Sequence, residues 1–192
     1  MVGLRVQLSG CHGRVVNVHA ANSIDVSNDK ADPAVVAEMI KQGLYSRFGL
    51  NTDKRLDKAY LGCLGELAFA HWLEEKKVAY KTDNKSFVNR NSDEFDFLIN
   101  GKKIDVKVAL KSTKNPPNDN WTYGYPQEQN PKSKDFVIIG WIDLFQKEIG
   151  FYGWMTGLQI SKSPIALKNS FKGYNYKTPN HEFKWGLMNK NF

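Results

Sequence analysis

The chain is short of several things, and each shortage removes a class of protein. Two cysteines, Cys11 and Cys63, in 192 residues are too few for a disulfide framework. The four histidines, His12, His19, His71 and His181, are scattered, and no Cys/His spacing suits a zinc site. No uninterrupted apolar run reaches the roughly 20 residues that cross a bilayer, and no signal-like segment is present. A cytoplasmic protein without membrane association is the expectation. There is no G-x-x-x-x-G-K-[ST] run, which argues against an ATP-driven motor, and no repeat or low-complexity tract. Acid is the scarcer charge: 27 Lys and Arg stand against 20 Asp and Glu, a formal net charge of +7. Such an excess suits a polyanionic partner. With 41% hydrophobic residues, the chain has enough apolar material for one sizeable domain.

The most informative stretch that is present runs from Phe95 to Lys107, where two β-like segments flank Asn100-Gly101. A two-residue Asn-Gly loop favours a type I′ hairpin, which pairs Ile99 with Lys102, Leu98 with Lys103, Phe97 with Ile104 and Asp96 with Asp105. Alternation along the strands then places Phe95, Phe97, Ile104 and Val106 on a core face, and Asp96, Asp105 and Lys107 on the other. Opposed carboxylates repel, and a plain hairpin would gain about 0.2–1 kcal/mol from unlike groups placed there. A divalent cation would turn that repulsion into binding. Carboxylate oxygens suit Mg²⁺, which keeps waters and accepts phosphate oxygens; Lys107 beside it would orient a nucleophile or neutralise developing charge.

A second anomaly is Glu66. Ala59 to Leu73 reads as a largely buried helix, expected to start near Asp53 or Asp57 and to end among Glu74 to Lys77. The neighbours of Glu66 one turn away are Gly62, Cys63, Phe69 and Ala70, so its carboxylate leaves an apolar, narrow face. It needs a cation, a hydrogen-bond partner or a raised pKa, unless that face reaches water. Gly62 and Gly65 each cost up to about 1 kcal/mol of helix propensity, an expense more intelligible where something approaches the helix closely.

Together these features resemble the PD-(D/E)XK nuclease superfamily: Gly65-Glu66 looks like its helical acid, Asp96 its first strand acid, and Asp105-Val106-Lys107 its terminal triplet. Phe95 stands where Pro is usual, and Asp105 where many relatives have Glu. The likeness covers Ala59 to Val108 in detail and extends to about Gly157 in element order. It implies an α/β fold with a restriction-endonuclease-like core, a central mixed β-sheet flanked by helices, and hydrolysis of DNA phosphodiester bonds with Mg²⁺, with Mn²⁺ as a substitute. It further implies metal ligation by Glu66, Asp96, Asp105 and the carbonyl of Val106, with Lys107 positioning or activating the water. A restriction-type enzyme would act as a homodimer. A Holliday junction resolvase, a catalytically inactive nucleic-acid-binding module and a small-molecule phosphoesterase are the other readings.

Outside the site, residues 1–30 read as an N-terminal β extension, with strand-like runs at Leu4 to Leu8 and Arg14 to Val18, and residues 31–192 as the nuclease-like domain. Asp32-Pro33 looks like the start of a helix reaching about Phe48. Lys111 to Lys134 reads as a long polar loop that grips or covers substrate, or that orders only with it. Phe136 to Ile142 is expected as a central strand and Ile149 to Met155 as its hairpin partner. From Lys162 onward, Lys162, Lys168, Lys172, Lys177, Lys184 and Lys190 alternate with Phe171, Tyr174, Tyr176, Phe183 and Trp185. Lysines there would follow a phosphate backbone while aromatics pack inward or stack on exposed bases.

Overall fold

The computed structural model describes residues 4–11, 15–20, 22–23, 37, 40–41, 51–83, 94–146 and 148–192. Strands β1 (Leu4–Cys11), β2 (Val15–Ala20), β3 (Asn22–Ser23), β4 (Lys81–Thr82), β5 (Phe97–Ile99), β6 (Lys102–Leu110), β8 (Phe136–Asp143) and β9 (Glu148–Thr156) form one sheet. Their order across it is β3-β2-β1-β9-β8-β6-β5-β4. The β6–β8 ladder is parallel and the others antiparallel, so the sheet is mixed. The N-terminal pair β1–β2 joins it through the β1–β9 ladder. A second sheet, in the order β10-β11-β7, consists of β7 (Thr122–Pro126), β10 (Ile165–Lys168) and β11 (Asn175–Lys184).

Helix α1 (Thr52–Glu75) covers one face of the large sheet. Its N-cap is Asn51, whose side chain accepts from the Lys54 N–H at 3.0 Å, so the helix begins just ahead of the expected aspartates. Ala59, Cys63, Leu64, Ala68, Phe69 and Leu73 are buried along it. The Phe69 ring meets Phe97 of β5 at 5.3 Å and Phe151 of β9 at 5.4 Å, both edge-on, a geometry that adds about 0.5–1.5 kcal/mol to burial. Of the helix expected from Asp32 to Phe48, only residues 37, 40 and 41 are described, and they are helical; the remainder lies outside the described residues. Ile40 is buried in the same core, and its carbonyl accepts from Arg55 Nη2 at 2.7 Å.

The opposite face is covered by the small sheet and the short helix α2 (Gly157–Ser161). There Val137, Ile139, Trp141 and Met155 of the large sheet pack with Tyr125, Ile160, Phe183 and Trp185. The expected loop from Lys111 to Lys134 is corrected here, since its middle forms β7, paired with β11 from Thr122–Lys184 to Pro126–Asn180. Tyr123 and Tyr125 point toward this core while Pro, Asn and Gly supply the turns around them. Among the described residues no helix is long and apolar enough to cross a membrane.

Candidate active site

The expected hairpin forms in the expected register. Asn100 (φ 49°) and Gly101 (φ 75°) both adopt positive φ, as a type I′ turn requires, and Ile99–Lys102, Leu98–Lys103 and Phe97–Ile104 are partners. The ladder stops there, one pair short of Asp96–Asp105. Asp96 N–H donates to the Ile104 carbonyl at 3.0 Å, and the Asp96 carboxylate accepts from Val106 N–H at 2.6 Å. Donors of an antiparallel strand turn to one neighbour at every second residue, so Val106 is next after Ile104 on that edge. The Asp96 side chain replaces the missing strand as its acceptor. The chain leading to Asp96 is tied down by the Glu94 N–H bond to Asp83 Oδ2 at 3.0 Å and by Lys134 Nζ bonded to the Glu94 carbonyl.

Asp105 and Lys107 alternate with the core residues Ile104, Val106 and Val108 and so face the small sheet. Lys107 Nζ lies 2.7 Å from Asp105 Oδ1, and Tyr125 Oη donates to Asp105 Oδ2 at 3.0 Å. Asp105 is buried and Lys107 half-buried. Tyr125 is the functional candidate that the sequence reading passed over. The signal for it was the alternation Tyr123-Gly124-Tyr125, hidden among turn residues.

Glu66 comes from α1, on the opposite face from Asp105. Its helix sits close because residue 65 is glycine: a Cβ there would stand 2.7 and 2.8 Å from the two Val108 methyls. Asp96, off the end of its ladder, is where the two faces meet. Burial drives its pKa well above the usual carboxylate range, the charges of Glu66 and Asp105 push the same way, and Lys107 and the Val106 N–H oppose them. Burial alone would lower the Lys107 pKa, but Asp105 and Asp96 beside it outweigh burial and raise it well above the ordinary lysine value. Lys107 is therefore an ammonium. Burial and the Asp105 charge likewise raise Tyr125, which stays a neutral donor.

Three of the four polar candidates, Glu66, Asp105 and Lys107, thus act electrostatically on the fourth, Asp96. Among the described residues no three His, Cys, Asp or Glu side chains stand close enough to hold a metal ion as they are placed. The donor chemistry nonetheless fits a hard cation. Carboxyl oxygens are its preferred ligands, and besides burial, which raises Asp96 most, the Glu66 and Asp105 charges add a repulsion that a divalent ion would relieve. Comparison with protein-family models, curated proteins and solved structures found no match.

Proposed function

We propose that this chain is a Mg²⁺-dependent deoxyribonuclease, an endonuclease of the restriction type, on an α/β core of the restriction-endonuclease kind. The observation that carries the reading is the gathering of one helical acid, Glu66, one further hairpin acid, Asp105, and the Lys107 ammonium around the buried Asp96 carboxyl. A plain hairpin would gain stability by separating those acids. The net charge of +7 suits a polyanionic substrate, and a restriction-type enzyme would cut both strands as a homodimer.

Glu66, Asp96, Asp105 and the Val106 carbonyl would hold Mg²⁺, which supplies Lewis-acid polarisation of the phosphate and a lowered pKa for water. The protein supplies position and charge. Lys107, kept protonated by Asp105 and Asp96, acts as a donor rather than a base: it orients the attacking water and neutralises charge growing on the phosphate oxygens. Tyr125 fixes the direction of the Asp105 carboxylate from the small sheet. The Val106 N–H does the same for Asp96, so one acid is aimed from the small sheet and the other from the backbone edge of β6.

The test is a cleavage assay on supercoiled plasmid, linear duplex and four-way junction in Mg²⁺, comparing the intact protein with D105A and K107A. Both substitutions are expected to lower turnover at least ~10²-fold, the scale of losing one preorganised electrostatic group, with circular dichroism unchanged and EDTA abolishing cleavage. Preference for the junction would shift the reading to a resolvase. Binding insensitive to EDTA without any cleavage would leave a binding module, and wild-type turnover by D105A would overturn the site.

A further inference from the structure

A cleft of about 380 Å³ opens beyond the candidate site, within the range of ligand pockets. Asp105, Lys107 and Ala109 lie on one face of β6, and the cleft begins at Ala109. Two residues of strand separate it from Lys107, a rise of about 6–7 Å. Phe171 and Tyr174 on the β10–β11 turn wall it, and both are about half exposed, at 51% and 52%. Trp121 lines it too, as does the buried Trp185, whose indole N–H finds no acceptor among the described residues.

The turn that carries the exposed rings is held in place rather than loose. Asn169 is buried, and its side-chain oxygen accepts from the Phe171 N–H at 3.1 Å and the Lys172 N–H at 2.7 Å. Its amide donates to Thr122 Oγ1 at 3.0 Å and Tyr176 Oη at 2.7 Å, which joins the turn to β7. The backbone that carries the two aromatics is thus ordered in advance of any ligand, which favours binding. Cations complete the rim. Lys172 bonds to Ser112 Oγ there, and Lys184, directly across from Thr122 in the ladder, is exposed. Flat apolar walls with lysines at the edge match a nucleobase and its phosphate. A base inside a duplex presents neither of its faces.

We propose that this cleft receives an unpaired or extruded nucleotide of the strand cut at the neighbouring site, so that DNA offering an unpaired base is bound in preference to a fully paired duplex. The inference rests on the nuclease reading. It is tested by fluorescence anisotropy in EDTA with labelled oligo-dT and a blunt duplex, alongside cleavage of both in Mg²⁺. F171A/Y174A is expected to weaken oligo-dT binding at least ~10-fold and duplex binding less than twofold, while F171Y/Y174F, which keeps both rings, binds like wild type. Because a turn substitution can harm folding, K172A provides a second reading: it should weaken oligo-dT binding while thermal unfolding stays at the wild-type value. Unchanged oligo-dT affinity in F171A/Y174A, with cleavage lost in D105A, would overturn this inference alone. Absence of cleavage by the wild type, with oligo-dT binding still sensitive to F171A/Y174A, would overturn the nuclease reading and leave the cleft as a base-binding site.

Discussion

Asp96 and Asp143 are both buried carboxyls, and their surroundings drive them in opposite directions. Burial, Glu66 and Asp105 raise the Asp96 pKa. An acid whose folded pKa exceeds its unfolded value, near 3.9, contributes stability that is complete below the unfolded pKa and lost as pH rises through the folded one. At neutral pH the buried Asp96 carboxyl is therefore a cost to folding. D96N keeps an acceptor for the Val106 N–H and removes the charge, so it is expected to be more stable than wild type at pH 7 by about 1 kcal/mol or more, with the difference closing toward about pH 4. Thermal melts across pH check this, and addition of Mg²⁺ should stabilise the wild type but not D96N. A less stable D96N at pH 7 would contradict the repulsion argument.

For Asp143 the balance reverses. Burial disfavours its charge, but Lys111 Nζ at 2.6 Å and the Gln146 and Phe145 N–H groups hold its pKa below the usual range. Stability from such an acid is present above the unfolded pKa and lost as pH falls through the folded one. D143N leaves Lys111, whose side chain is 9% exposed, without its counter-charge. The expected cost is about 3–5 kcal/mol at neutral pH, shrinking below about pH 4 as the wild type protonates. Denaturant melts of D143N and wild type at pH 3 and pH 7 measure the difference.

At the scale of elements, the seating of α1 on β6 decides where Glu66 stands. G65A places a methyl 2.7 Å from a Val108 methyl, an overpacking worth about 1–3 kcal/mol. Alanine returns about 1 kcal/mol of helix propensity. The two nearly cancel, so global stability should move by less than about 2 kcal/mol while the helix, and Glu66 with it, lifts off the sheet. A displacement of about 1 Å at a catalytic group costs up to ~10²-fold in rate, so turnover should fall much further than stability. The double variant G65A/V108A, which opens the space again, should recover activity; failure to recover would show that the glycine acts through something other than this contact. The same elements show what was legible in advance. The hairpin and α1 follow from local signals, an Asn-Gly turn with period-two alternation and a long buried helical run, and their sequences lie close together. Strand β7 depends on β11, more than fifty residues later by the Thr122–Lys184 pairing, and its five residues are bracketed by Pro and Asn that read as loop. The termination of the β5 ladder before Asp96 was also out of reach, because an acid accepting from Val106 N–H is chosen by the geometry of the sheet rather than by residue type.

For the whole molecule the question is where the surplus positive charge lies relative to the site. The C-terminal alternation of lysines and aromatics divides in the fold: Phe183 and Trp185 enter the core beneath the site, while Lys168, Lys172, Lys177 and Lys184 are exposed on the small sheet and its turn. This sheet is also the one that sends Tyr125 to Asp105, so the basic surface and the acid cluster are linked by a single element. If DNA lies across that surface, each lysine bound to a phosphate contributes about 0.9 to the slope of log affinity against log salt concentration on duplex DNA. Lys172 lines the cleft and Lys184 stands across the ladder from its Thr122, and K172A/K184A removes both. The slope measured with D105A, which the proposed function expects to be inactive, as background should fall by about 1.8 if both touch duplex phosphates, and affinity should drop uniformly across sequences because such contacts read no bases. A slope equal to that of D105A alone would place the DNA on a different face of the molecule and separate the basic surface from the acid cluster.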